Sequence, residues 1–204
     1  MPTPRIHLVR HGEVENPTGV VYGRLEGFRL SARGERQAQA AADLLGELEV
    51  PVGSIVSSPL ERTLQSAAPI ASRYGLEIAR DDDLVEASSR LEGKDYDVSL
   101  TILARPEAWR YLVNPLRPSW GESYTGVLAR MTRAVDRAVS DAPEGDIVIV
   151  SHQLPIWVLK RRAAGRSLAH DPRRRRCALS SITSFEMRNG SLVEVDYHDP
   201  GALL

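Results

Sequence analysis

The chain has 204 residues, of which 42% are hydrophobic and 26% charged, and its formal net charge is −1 at pH 7. These values are typical of a globular domain. The near-zero net charge excludes the strong positive field of a charge-driven nucleic-acid or membrane binder. A single cysteine excludes an internal disulfide framework. Because the first ten residues lack the apolar core of a secretion signal and no apolar run has membrane-spanning length, we expect a cytoplasmic, single-domain protein over residues 1–204.

Short runs of β-forming residues alternate with amphipathic segments in the first part of the chain. In chain order, the pattern predicts a strand at 5–9, a helix at 32–49, a strand at 53–58, a helix from Pro59 to Tyr74 and a short strand at 76–81. Ser31 is the predicted N-cap of the first helix. Pro59 is the predicted first residue of the second helix, where the missing N–H is tolerated.

The second part of the chain begins with a less regular, proline-containing segment at 82–121, which we interpret as a cap-like insertion over one end of the sheet. The pattern after it predicts a helix at 122–141, a strand at 146–151, a helix at 153–162 and a hairpin at 180–198 around Asn189-Gly190. Together these elements predict an α/β protein, a three-layer α/β/α sandwich with a mixed, mostly parallel sheet.

Polar residues lie at the end of three of the predicted strands or within one turn beyond it. They are Arg10-His11-Gly12 after the first, Arg62 one turn beyond the second and Ser151-His152 after the fourth. Ligands of such sheets bind beyond the carboxyl ends of the strands, so neighbouring strand ends would bring two arginines and two histidines together. Arginine forks suit phosphate, and this convergence favours an anion site. Singly, each residue has an ordinary structural interpretation, as a packed histidine, a solvated arginine or a turn glycine.

Segments across nearly the whole chain resemble, in order, the histidine phosphatase superfamily, which includes the cofactor-dependent phosphoglycerate mutases. These segments are LVRHGE, GRLEGFRLSARGERQAQAAADLL, SSPLERTLQSA, DDDLVEASSRLEG, WGESYTGVLARM, VIVSHQLP and SSITSFEMRNGSLVEV. The resemblance implies the phosphoglycerate mutase-like fold with an inserted cap segment. An isolated Arg-His-Gly would carry little weight, whereas several motifs in the family's order carry much more.

The match implies a role for each strand-end residue. His11 is the predicted nucleophile, which attacks phosphorus as a neutral imidazole and becomes a phosphohistidine. Arg10, Arg62 and His152 would bind the phosphoryl oxygens, and the family pattern implies that His152 is protonated. The group that holds the other ring nitrogen of His11 does not follow from the sequence.

A carboxyl group and an amide complete the implied site. Glu86 is the predicted general acid, which later acts as the base, and Glu92 is the alternative. Asn16 is a further predicted phosphate ligand, one residue earlier than in the family pattern and followed by Pro17. Glu122 either hydrogen-bonds a pocket arginine or places its charge at a helix N-terminus.

The resemblance implies a phosphatase that hydrolyses phosphate monoesters of small molecules and needs no metal or other cofactor. The alternative is a phosphoglycerate mutase-type isomerase, which returns the phosphoryl group to its substrate. The absence of the mutase run Arg-Tyr-Gly after Glu86 argues against it, but arginines in the 82–121 segment leave it open: Arg90, Arg105, Arg110 and Arg117. A phospho-ligand binding module is a third interpretation, against which the retained nucleophile and acid argue. Oligomeric state does not follow from the sequence.

Several residues outside the motifs have structural interpretations. The arginine run 173–176 is predicted to be a solvated loop rather than a nucleic-acid patch, and His170 and His198 are predicted surface residues. His7 is a predicted packed histidine of the first strand. Gln153, where most members of the family have glycine, adds bulk at the pocket edge. A partly apolar pocket wall is predicted from Val20, Val21, Tyr22, Trp109 and Trp120.

Overall fold

A six-stranded sheet forms the centre of the computed structural model, which describes residues 4–94, 121–141, 144–202 and 204. Its strands are β1 (Ile6–Arg10), β2 (Val52–Ser57), β3 (Ile78–Arg80), β4 (Asp146–Ser151), β5 (Ile182–Arg188) and β6 (Ser191–His198). They lie in the order β3-β2-β4-β1-β5-β6. The first four are parallel and β5 is antiparallel to β1 and β6, which confirms the mixed, mostly parallel sheet.

Helices cover both faces of the sheet. The helices α1 (Ala32–Glu47) and α2 (Glu61–Tyr74) pack on one face, and α3 (Tyr124–Asp141) and α4 (Gln153–Ala163) pack on the other. Side chains of a strand alternate between the two faces, so β1 sends Leu8 into the core beneath α3 and α4 and Val9 into the core beneath α1 and α2. The structure thus confirms the three-layer sandwich. No helix in the described ranges has the length and apolar character to span a membrane.

One predicted helix start is confirmed and another is wrong. The Ser31 hydroxyl accepts a hydrogen bond from the Gly34 N–H at 3.1 Å and caps α1. The second helix begins at Glu61 instead of Pro59. The Ser58 N–H still bonds to the Val150 carbonyl at 3.0 Å, so sheet pairing extends past the strand and keeps the chain extended to the proline.

The closing hairpin turns where the sequence predicts. Asn189 and Gly190 both adopt left-handed backbone conformations, with φ of 51° and 71°, as the tight turn between β5 and β6 requires. Of the segment 82–121, the structure describes 82–94 and Gly121, beginning with a 3₁₀ turn at Asp82–Leu84. The predicted insertion otherwise lies outside the described residues, as do Trp109, Trp120, Arg105, Arg110 and Arg117.

Candidate active site

The three polar strand ends lie together at the carboxyl end of the parallel strands, as the sequence predicts. Strand β4 lies between β1 and β2, with Arg10 paired in register with Ser151. The ring centroids of His11 and His152 are 5.1 Å apart, and the Arg62 Nη2 is 3.4 Å from the His152 Nδ1. The fold thereby assembles a buried cluster of two histidines and an arginine, with Arg10 beside it.

His11 is held in one tautomer by its own backbone. Its Nδ1 lies 2.8 Å from the Gly12 carbonyl oxygen. Because a carbonyl only accepts hydrogen bonds, Nδ1 carries the proton and Nε2 keeps its lone pair. Burial, and then the positive charges of Arg10 and Arg62, hold the pKa of His11 well below its usual value. The imidazole is therefore neutral and nucleophilic at Nε2 across physiological pH.

His152 is the second, fully buried histidine of the cluster. Its Nε2 lies 2.9 Å from the Ser58 hydroxyl, and its Nδ1 faces the Arg62 guanidinium, which can only donate. Burial, followed by the charges of His11, Arg62, Arg130 and Arg10, holds the pKa of His152 well below its usual value. The resemblance implied a protonated His152, whereas the structure favours the neutral form because its neighbours are cationic.

The two site arginines are only partly hydrogen-bonded. Arg10 donates to the Cys177 carbonyl at 2.7 Å, and Arg62 donates to the Gly23 carbonyl at 2.6 Å. The Nε atoms of both arginines are buried without a hydrogen-bond partner among the described residues. Arg62 also lies over the Tyr22 ring, 5.0 Å from its centroid. Two guanidinium groups, each with a buried Nε that lacks a partner, form a site suited to an oxyanion.

A cavity of about 280 Å³ opens over this cluster, close to the lower limit for small-molecule pockets. Its lining contains Arg10, His11, Val21, Tyr22, Gly23, Glu86, Ala87, Ser88, Ser89, Gly121, Glu122, Tyr124, Gln153, Leu154 and Arg175. Arg62 and His152 are not part of this lining but contact two residues that are, Tyr22 and His11 respectively. A larger groove of about 860 Å³ beside β3 and α3 contains neither histidine, and its Arg137 is ion-paired with Asp81 and Asp83. We therefore place the candidate site in the smaller cavity.

The structure brings Glu86 and not Glu92 to this cavity. The Glu86 carboxylate accepts a hydrogen bond from the Ala87 N–H at 2.8 Å, and its carbonyl accepts one from the Arg24 Nε at 2.6 Å. The Glu92 carboxylate accepts from the Ser89 N–H and is not part of the lining. The position of Glu86 thus suits the predicted proton donor better than that of Glu92.

Arg24 and Arg130, which no sequence motif predicts as site residues, hold the segment around Glu86. Arg130 is buried and donates to the carbonyls of Asp83 and Val85, at 2.7 and 2.6 Å. Glu122 lines the cavity and accepts hydrogen bonds from both Arg130 and Arg24, so it does bond to arginines, but these two lie outside the cavity lining and are not the pocket arginine that was predicted. The only sequence signal for this network was Glu122, near the start of the WGESYTGVLARM motif.

Asn16 is not brought to the cavity. Its side-chain amide donates to the Val20 carbonyl at 2.9 Å and so closes the loop after β1. It is absent from the cavity lining, although Val21 of the same loop is present. Contact between Asn16 and a phosphate stays a prediction that this geometry does not favour.

The interpretation of the arginine run as a solvated loop is wrong for Arg175, which is half-buried and lines the cavity. His170 is likewise not a plain surface residue. It is half-buried, with its ring centroid 5.0 Å from that of Tyr124 and 5.9 Å from that of Trp157. His7 is buried as predicted, with Nδ1 2.8 Å from the Ser184 hydroxyl. Tertiary contacts that no local pattern reveals bury His170 and Arg175.

Gly12 is required by close packing. A Cβ atom there would lie 2.5 Å from the Gly34 carbonyl oxygen at the start of α1, which no real Cβ tolerates. We expect Gly12→Ala to push His11 away from the cluster, and to lower the free energy of unfolding by about 1–3 kcal/mol. Urea unfolding and phosphatase assays of this variant check both effects. Unchanged stability together with full activity would contradict the packing argument.

The lowered pKa values of four buried or half-buried histidines predict a loss of stability in mild acid. The pKa values of His7, His11, His152 and His170 are all lowered, chiefly by burial. The unfolded chain therefore binds more protons than the folded protein below about pH 6.5, and each histidine lowers the free energy of unfolding by at most about 1.4 kcal/mol per pH unit of acidification. Urea unfolding at pH 7 and pH 5 measures this loss, which should be smaller in His152→Asn. A free energy that stays constant or rises on acidification would contradict it.

Comparisons with known proteins agree with the fold and with the family resemblance. A model of the histidine phosphatase superfamily (branch 1) matches residues 6–200. The uncharacterized protein Rv0525 of Mycobacterium tuberculosis is 47% identical over 199 residues, 98% of each chain. The probable phosphoglycerate mutase GpmB of Escherichia coli is 31% identical over 201 residues, 96% of this chain and 86% of its own.

A solved structure of a related protein has the same fold. The mycobacterial glucosyl-3-phosphoglycerate phosphatase Rv2419c, in complex with inorganic phosphate, superposes with a TM-score of 0.76 at 25% identity, covering 98% of this chain and 99% of its own. The family model and this structure both show that the α/β sandwich is the fold of this class of protein. The chain belongs to the histidine phosphatase superfamily.

Proposed function

We propose that this protein hydrolyses phosphate monoesters of small molecules through a phosphohistidine intermediate on His11. The observation that carries the proposal is the His11 ring itself, which is neutral, fixed by the Gly12 carbonyl and left with a lone pair on Nε2. It lines a cavity beside two arginines with spare buried donors. A site that only bound phosphate would not need a nucleophile held in this way.

In the first half-reaction, His11 Nε2 attacks phosphorus and the bond between phosphorus and the ester oxygen breaks. Protonated Glu86 gives its proton to the departing oxygen, so the alcohol leaves neutral. Arg10 and Arg62 bind the phosphoryl oxygens, over which the transition-state charge is spread, and His152 joins them when its Nε2–H turns from the Ser58 hydroxyl to a phosphoryl oxygen.

In the second half-reaction, the Glu86 carboxylate takes a proton from water as the water oxygen attacks phosphorus. The phosphorus–nitrogen bond breaks, inorganic phosphate leaves, and the ring of His11 is neutral again. Glu86 ends protonated, ready for the next ester, so protons and charges balance over the cycle.

Known relatives support hydrolysis of small phosphate esters. Rv2419c is named as a glucosyl-3-phosphoglycerate phosphatase and binds inorganic phosphate in its crystal structure. The name of GpmB favours a second candidate, in which the phosphoryl group returns to the substrate as in a phosphoglycerate mutase. The two candidates share the phosphohistidine and differ in whether water or a hydroxyl of the substrate removes the phosphoryl group.

The test is rapid quenching of the protein with a ³²P-labelled phosphate monoester, following both protein-bound label and free phosphate. We expect acid-labile, base-stable label on wild type and on His198→Ala, and none on His11→Ala. His198 is the matched control because it lies on β6, bonded to Asp196 and outside the cavity lining. Transfer of label to added phosphoglycerate would favour the mutase, and the absence of label and turnover with every ester would overturn the proposal.

A further inference from the structure

Arg175 differs from its three neighbours in the arginine run. Arg173 pairs with Asp171 at 2.9 Å, and Arg174 lies 3.9 Å from the same carboxylate. Arg176 lies over the Tyr197 ring, 4.2 Å from its centroid. These contacts fix the segment on the surface of the domain, while Arg175 points to the cavity that also contains His11.

The partners that hold Arg175 are neutral. Its Nε donates to the His170 Nε2 at 2.9 Å, and its Nη1 lies 3.3 Å from the Gln153 Oε1. The His170 Nδ1 donates to the Leu168 carbonyl at 2.6 Å, so Nε2 is the free acceptor and the imidazole is uncharged. Among the described residues, no carboxylate lies within 4 Å of the Arg175 guanidinium, so its charge is oriented without being neutralised.

Burial makes this arrangement costly in the absence of an anion. Half-buried, the guanidinium loses hydration, which lowers the pKa of Arg175, while Tyr124 and Glu86 raise it. Arg10 and Arg62 already supply the charge that a phosphoryl group at His11 requires. Arg175 is therefore a further guanidinium at this cavity of about 280 Å³, beyond Arg10 and Arg62, and Glu86, the carboxylate that acts on its charge, makes no ion pair with it.

We infer that Arg175, oriented by His170 and Gln153, binds a second anionic group of the substrate, a carboxylate or a second phosphate. The inference rests on the proposed function, since it assumes that the first phosphoryl group lies at His11. A guanidinium fork matches either group through two parallel hydrogen bonds. Gln153 follows His152 directly, so a single peptide bond connects the phosphoryl cluster to one of the two residues that hold Arg175. The preferred substrates are thus short phosphate esters with an acidic group at the other end.

Matched ester pairs test this inference. The first pair is 3-phosphooxypropanoate and its primary amide, and the second is propane-1,3-diyl bisphosphate and 3-hydroxypropyl phosphate. Within each pair, wild type should prefer the more charged ester in kcat/KM. We expect Arg175→Gln to reduce that preference by about 10- to 100-fold, as loss of a hydrogen-bonded charge pair does. The pair with the larger loss distinguishes a carboxylate from a second phosphate.

Arg174→Gln is the matched control, because it removes the same charge from the adjacent, exposed position. It should leave the preference unchanged, and Arg175→Lys should reduce it in part, which also covers the case in which Arg175→Gln does not fold. A preference that is absent from wild type, or equal in wild type and the Arg175 variants, would overturn the inference.

Binding separates this inference from the proposed function. Calorimetry on His11→Ala and on the double variant His11→Ala, Arg175→Gln gives affinities for the same esters without turnover. If no ester releases phosphate, the proposed function fails, and the inference about Arg175 is still decided by these affinities. An affinity difference that depends on Arg175 supports it, and equal affinities overturn it.

Discussion

Replacing His11 by alanine is expected to lower kcat/KM for phosphate monoesters by about 10,000-fold or more, the scale on which loss of a nucleophile acts. No other described residue presents a neutral ring nitrogen with a free lone pair to the cavity, since the His152 Nε2 is bonded to Ser58 and its Nδ1 faces Arg62. Continuous measurement of phosphate release, with the variant at high concentration, gives the residual rate.

The fold should survive this change. The His11 ring makes a single side-chain hydrogen bond in the described structure, to the Gly12 carbonyl, and its removal also relieves the cost of burying a polar ring. The melting temperature should therefore stay within a few degrees of wild type, and His198→Ala should retain full activity. A folded His11→Ala variant with more than about a hundredth of wild-type activity would show that another group attacks phosphorus.

Replacing Glu86 by glutamine is expected to slow hydrolysis according to the leaving group. Alkyl phosphates should lose about 100- to 10,000-fold in kcat/KM, because an alkoxide needs a proton as it departs. A dinitrophenolate leaves as a stable anion, so its phosphate ester should lose less than about 10-fold. Measuring kcat/KM for a series of esters against the pKa of the leaving alcohol gives a steeper dependence in the variant than in wild type.

Glu92→Gln is the matched control for Glu86. It removes the same charge from a carboxylate that bonds to the Ser89 N–H and does not line the cavity. We expect its activity to stay within about 3-fold of wild type for every ester, a change too small for a lost proton donor. Equal losses of Glu86→Gln across all leaving groups would indicate a positioning role in place of proton transfer.

The sequence predicted those parts of the molecule that depend on local pattern or on strand polarity. Asn189-Gly190 identified the hairpin because few other residue pairs adopt two successive left-handed conformations. The convergence of His11, Arg62 and His152 followed from the general rule for parallel strand ends together with the family resemblance. Both kinds of signal lie in a few adjacent residues and do not require the packing to be known.

Features that depend on distant contacts could not be predicted in this way. Burial of Arg175 needs His170 and Gln153, which the sequence places in two separate segments, and a run of arginines resembles a solvated loop. The start of α2 was misplaced because sheet pairing at Ser58, a contact with β4, overrides the local preference of a proline. Arg130 supports the Glu86 segment from another helix, again through a tertiary contact.

The central position of β1 affects how long His11 stays in place as the protein fluctuates. β1 is hydrogen-bonded to β4 on one side and β5 on the other, whereas β3 and β6 are the edges of the sheet. Edge strands fray in local openings, but a strand bonded on both sides separates only when the whole domain unfolds. His11 follows β1 directly and its N–H is bonded to the Ser151 carbonyl of β4, so its backbone persists through partial openings of the edges and His11 is among the last residues of the protein to lose its place.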